Sequence, residues 1–242
     1  MNWNMKLVAT LLALCITPSA FAGLILALDD LGTPGIDVIV IDDVDGGVGD
    51  ATPLGAATHA DTLVSAPFGD GGVSYSGAVG GFGFSMSTGF SKPITGSRDM
   101  IHLDSVEMSG PAGAIRILIT DTGFTSPSSR AVLRIGGVAA GTVEATGYVD
   151  DSDTPFGMDT VLSTGVMGPG SFSTSVDAGL SGPSGPYSMT LDILVTHPGA
   201  VWGFDVTSFD AEIVVPEPSV VAMLGVGLVA MGMIRRRRYM GR

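Results

Sequence analysis

The stretch Ile115-Arg116-Ile117-Leu118-Ile119-Thr120 carries the pattern of a β-strand. An extended chain turns successive side chains to opposite faces, so the three isoleucines share one face and Arg116, Leu118 and Thr120 share the other. The same period of two returns in Met189, Leu191, Ile193 and Val195 against Thr190, Asp192 and Thr196, and in Phe209, Ala211 and Ile213 against Ser208, Asp210 and Glu212. Ile36 to Ile41 is apolar except for Asp37, as a strand buried on both faces would be.

Between these runs stand Gly, Pro and Asp, which punctuate a chain into turns. The 242 residues include 36 Gly and 14 Pro, a share below that of low-complexity disorder. No stretch between Gly23 and Pro218 holds a helical period, and no repeat of fixed length occurs. The expectation is therefore all-β: one antiparallel β-sandwich or jelly-roll-like domain over residues 23–214.

Charge divides sharply along the chain. Lys6 lies near the start and Arg235, Arg236, Arg237, Arg238 and Arg242 at the end, leaving Lys92, Arg98, Arg116, Arg130 and Arg134 against all 24 acidic residues. Five positive against 24 negative charges give the body a charge of −19. Phosphate binding needs Lys and Arg to displace counterions, so nucleic acid is excluded as a partner.

Both ends read as addresses. Met1 to Lys6 carries one positive charge, Leu7 to Phe21 is apolar, and Ala20-Phe21-Ala22 presents the small-x-small pattern that signal peptidase accepts. Cleavage is expected after Ala22, removing a signal peptide of residues 1–22 and with it Cys15, the one cysteine.

At the other end Ser219 to Ile234 holds no charge and is followed at once by Arg235-Arg236-Arg237-Arg238. As a helix it would span about 24 Å at ~1.5 Å per residue, slightly under a ~30 Å hydrocarbon core. Arginines stay on the cytoplasmic side, so such a membrane helix leaves the preceding chain outside. The signal peptide demands the same orientation. Val215-Pro216-Glu217-Pro218 ahead of it is an extended neck, because its two prolines bar helix.

A Pro-Glu-Pro triplet, an apolar helix and an arginine cluster in that order resemble the PEP-CTERM sorting signal. The resemblance covers residues 215–242, about a tenth of the chain. It implies export in a Gram-negative cell, recognition by an exosortase and a cut near Pro216 to Pro218. It further implies a surface or matrix component associated with exopolysaccharide and biofilm, in which Val215 to Pro218 are recognised and Arg235 to Arg238 fix orientation.

Within the body, two aspartate clusters are candidate calcium ligands: Asp42, Asp43, Asp45 and Asp50, and Asp151 and Asp153 beside Asp150 and Asp159. Calcium takes six to eight oxygen ligands, which carboxylates on a Gly-rich turn can supply. Neither cluster has EF-hand spacing. Counting from Asp43, the twelfth position is Leu54 instead of Glu, and Pro155 and Phe156 fill the fifth and sixth positions after Asp151. Solvated turn aspartates are the competing reading.

His59, His102 and His197 share no zinc-site spacing, and neither a G-x-S-x-G elbow nor a P-loop occurs, so no catalytic role is expected. Tyr75, Phe82, Phe84, Phe90, Trp202 and Phe204 could stack on sugars, yet Phe82 and Phe84 fall on one side of a strand, as core residues do. A structural or binding role follows. The alternatives are a calcium-dependent glycan-binding module and, further off, a secreted hydrolase.

Overall fold

The computed structural model describes residues 23–32, 35–41, 71–92, 95, 99–125, 128–181, 185–200 and 205–216, with the side chains of 41 and 86–88 left aside. Among the described residues twelve strands follow one another: β1 (Ile25–Asp29), β2 (Val38–Ile41), β3 (Gly72–Val79), β4 (Phe82–Phe90), β5 (Asp99–Gly110), β6 (Gly113–Phe124), β7 (Arg130–Ala139), β8 (Thr142–Asp150), β9 (Thr160–Met167), β10 (Gly170–Gly179), β11 (Tyr187–His197) and β12 (Asp205–Val215). They form two six-stranded sheets, ordered β2-β1-β6-β11-β8-β9 and β10-β7-β12-β5-β4-β3. Every pairing is antiparallel. The fold is the expected all-β sandwich.

The core lies between the sheets. Ile115, Ile117 and Ile119 on β6 are fully buried and stand opposite Val195, Ile193 and Leu191 on β11. Ile101, Leu103, Leu133, Ile135, Phe209 and Ile213 of the second sheet join them in one cluster. Burying each such side chain contributes about 1.5–3 kcal/mol, so this layer carries most of the driving force.

The sheets approach closely where glycine faces inward. A Cβ on Gly147 of β8 would stand 2.9 Å from Ile213 Cδ1, and one on Gly89 of β4 would run into Ile119 Cδ1.

Two details depart from simple alternation. Leu118 and Thr120 should face water, yet both are buried. The β8–β9 turn folds back over the first sheet, where Phe156 packs with Ala27, Ile39 and Leu118 in a second small cluster. The Phe156 amide donates to Thr120 Oγ1 at 3.1 Å, and Thr120 Oγ1 lies 2.9 Å from Thr190 Oγ1. Further on, β2 begins at Val38, not Ile36, because Asp37 accepts the Asp30 amide at 2.8 Å and so belongs to the turn from β1.

Candidate functional site

Side chains directly opposite one another on paired strands share a face. Across the outer face of the second sheet the register sets Ser175 beside Arg134, Arg134 beside Glu212, Glu212 beside His102 and His102 beside Phe90. One residue pair along, Ser173 stands beside Gly136 and Gly136 beside Asp210. A glycine in the middle of this second row leaves a depression.

The result is a groove of about 630 Å³, lined by His102, Arg134, Gly136, Ser173, Ser175 and Glu212, with Thr174, Asp210 and the strand segments at Ile135 and Ala211. A Cβ on Gly136 would meet its nearest atoms at 3.6–3.7 Å, ordinary contact, so nothing around Gly136 compels a glycine there.

Arg134 donates from Nη1 to Glu212 Oε1 at 2.6 Å, and the Arg134 side chain is 55% exposed. A guanidinium carries five N–H donors in a fixed fork, so this pair presents donors and acceptors side by side at the surface. Asp210 is committed differently. It sits at a bulge between Phe209 and Ala211 and accepts the Ser105 amide at 2.7 Å, where Ser105 adopts a φ of 54°.

Elsewhere, three carboxylates of the first sheet converge: Asp29, Asp30 and Asp37 bring one oxygen each within 4.8 Å of one another. Burial pushes the Asp29 carboxyl above its ordinary range, opposed by the Leu31 amide that it accepts at 3.0 Å; repulsion from Asp37 and Asp30 adds to the rise. This convergence was not among the sequence candidates. Its available signal was the Asp-Asp pair at the end of one apolar run and Asp37 at the start of the next.

The sequence candidates fall as follows. Asp151 is exposed, and Asp153 spends Oδ1 on the Gly123 amide at 2.6 Å. Their neighbour Asp150 accepts the Ser152 amide at 2.8 Å. Among the described residues these turn aspartates do not join a convergent group of three ligands. Asp42, Asp43, Asp45 and Asp50 lie outside the described residues, as do Ala20, Ala22, Glu217, Pro218, Arg235 to Arg238, His59, Trp202 and Phe204. Among the described residues no helix is long and apolar enough to cross a membrane; the apolar stretch 219–234 lies outside them.

Val215, at the end of β12, is buried and opposite Asp99, and Pro216 follows as the first residue outside the sheet.

His102 lines the groove, whereas His197 is buried at the end of β11 with its Nε2 2.9 Å from Thr207 Oγ1 and its ring tilted against Phe82 at 5.5 Å. Burial lowers the His197 pKa, while Asp205 and the nearby Gly110 backbone pull it the other way. His197 Nδ1 is buried without a hydrogen-bond partner among the described residues.

As sugar platforms, Tyr75, Phe82 and Phe84 are ruled out: all three are core, Tyr75 and Phe84 meeting edge to face at 5.8 Å. Phe90 alone of the described candidates sits half-buried on the outer face.

Residues 214–238 match the model of the PEP-CTERM protein-sorting motif, so the chain carries that signal where its own residues suggested it. No curated protein sequence matches the chain. Among solved structures it is similar to a carbohydrate-binding module in complex with β-1,4-galactotriose, at 10% identity over 45% of this chain and 68% of that one, with a TM-score of 0.31. A mannan-recognising module is 7% identical over 59% and 88%, TM-score 0.30. A carbohydrate-binding module of the β-sandwich superfamily is 12% identical over 81% and 84%, TM-score 0.29. The two-sheet architecture itself stands on the strand pairings above.

Proposed function

We propose that this chain is an exported cell-surface or extracellular-matrix protein, processed by an exosortase, whose sandwich has a non-enzymatic structural or binding role alongside exopolysaccharide in a biofilm. The observation that carries this reading is the sorting motif at 214–238, which begins inside the last strand. Because Val215 is the final sheet residue, Pro216 to Pro218 can extend at most ~10 Å before the apolar stretch. The folded domain is thereby held against the membrane until it is cut.

In this reading signal peptidase removes residues 1–22, residues 219–234 hold the intermediate in the inner membrane, and Arg235 to Arg238 anchor its cytoplasmic end. The test is the triple substitution Pro216→Ala, Glu217→Ala and Pro218→Ala in the producing cell. A chain still carrying residues 219–242 should accumulate in the membrane; a product shortened there as in wild type would reject the recognition role of the triplet.

Calcium on the aspartates named from the sequence, Asp42, Asp43, Asp45, Asp50, Asp151 and Asp153, is a second proposal, and the convergence of Asp29, Asp30 and Asp37 offers the ion a further set of oxygens. A ligand that binds only the folded state raises the melting temperature, so calcium should raise it relative to EDTA. Identical curves would dismiss the ion.

A further inference from the structure

The outer groove of the second sheet has a composition that selects its ligand. Its wall pairs Arg134, a donor, with Glu212, an acceptor, at 2.6 Å, and Ser173 and Ser175 add hydroxyls that do both. A sugar hydroxyl likewise donates and accepts, and a vicinal diol matches a guanidinium and carboxylate held side by side. The four positions Ser175, Arg134, Glu212 and His102 lie on neighbouring strands, so the row extends about 14 Å at ~4.8 Å per strand, long enough for an oligomeric ligand. Phe90, opposite His102 one strand further, continues the row with an apolar surface that can meet the C–H face of a sugar ring.

Charge narrows the class. Glu212 and Asp210 outnumber Arg134 in the groove, and the body as a whole carries −19. A polyanion would be repelled. We propose that the groove between β10 and β5 binds a neutral polysaccharide through the Arg134–Glu212 pair and the serines of β10, with Gly136 leaving the room that the sugar occupies. This rests on the exopolysaccharide partnership proposed above and assigns its site.

Gly136 makes the site testable without dismantling the fold. Its φ is not in the left-handed region and its Cβ position is uncrowded, so Gly136→Leu fills the groove from a strand that can carry it. The full-length chain in mild detergent is run by affinity electrophoresis through gels containing neutral β-glucan, neutral galactomannan or anionic alginate. Wild type should be retarded by at least one neutral polymer and not by alginate. Gly136→Leu, with an unchanged melting temperature, should weaken that retardation about tenfold or more, and Glu212→Gln, which keeps shape but breaks the ion pair, should weaken it as well.

Retardation of both variants equal to wild type would overturn the site while leaving a glycan partner standing. No retardation by any of the three polymers would overturn the glycan partnership itself. Retention by alginate alone would overturn the charge argument. Retention abolished by a competing polar peptide but not by soluble sugar would assign the groove to protein instead.

Discussion

Tyr187 and Asp99 show what a single buried hydrogen bond does in this core. The phenol donates to Asp99 Oδ2 at 2.7 Å, and the same oxygen accepts the Thr125 amide at 3.1 Å, tying the start of β11 to β5 and to the end of β6. Burial and the neighbouring carboxylate push the Tyr187 pKa upward, so the phenol stays protonated and keeps donating. Tyr187→Phe should cost about 1–3 kcal/mol in urea unfolding, because the carboxylate loses a donor it cannot replace from water. An unchanged midpoint would show that the bond carries no stability.

His197 makes a pH-dependent prediction. Its folded pKa lies below the ordinary 6.5, mainly through burial. Above that pH the ring is neutral in both states and the site is indifferent to pH. As pH falls below 6.5 the unfolded chain takes up the proton first, so stability declines by up to about 1.4 kcal/mol per pH unit until the folded-state value is reached. Comparing wild type with His197→Gln cancels the other titrations. The difference between them should be constant above pH 6.5 and move in favour of the variant below it. A difference that is flat throughout would contradict the assignment.

At the scale of elements, inward glycines set the spacing of the sheets. Gly147 on β8 faces Ile213 of β12, and a Cβ there would stand 2.9 Å from Cδ1. Gly147→Ala should therefore destabilise by about 1–3 kcal/mol through overpacking. In an Ile213→Val background, which lacks Cδ1, the same change should cost measurably less. Equal costs in both backgrounds would place the strain elsewhere.

The strands that build this core were legible in sequence because alternation is local: Ile115, Ile117 and Ile119 declare their face without help from any other segment. Leu118 and Thr120 were not, since their burial comes from Phe156, which reaches them from a turn 36 residues beyond Thr120. The groove was equally hidden. Arg134 and Glu212 meet across 78 residues of sequence, and only register brings them together. Phe82 and Phe84 fit a sugar platform or a core by sequence alone, and their burial places them in the core.

For the whole molecule, the order of segments along the chain is the message. The sorting motif at 214–238 was legible because it is contiguous and ordered, and it starts where β12 ends. The charge split places −19 on the residues between the two termini, a field that repels anionic surfaces. The groove has no such contiguous signature, because strands distant in sequence assemble it.

In the proposed reading both termini are addresses removed in transit. The intact mass of the protein recovered from the surface and medium of the producing cell tests it directly. The recovered chain should start at Gly23 and end near Pro218, bare or with added sugar. A chain recovered only from the membrane and still carrying Arg235 to Arg242 would contradict it.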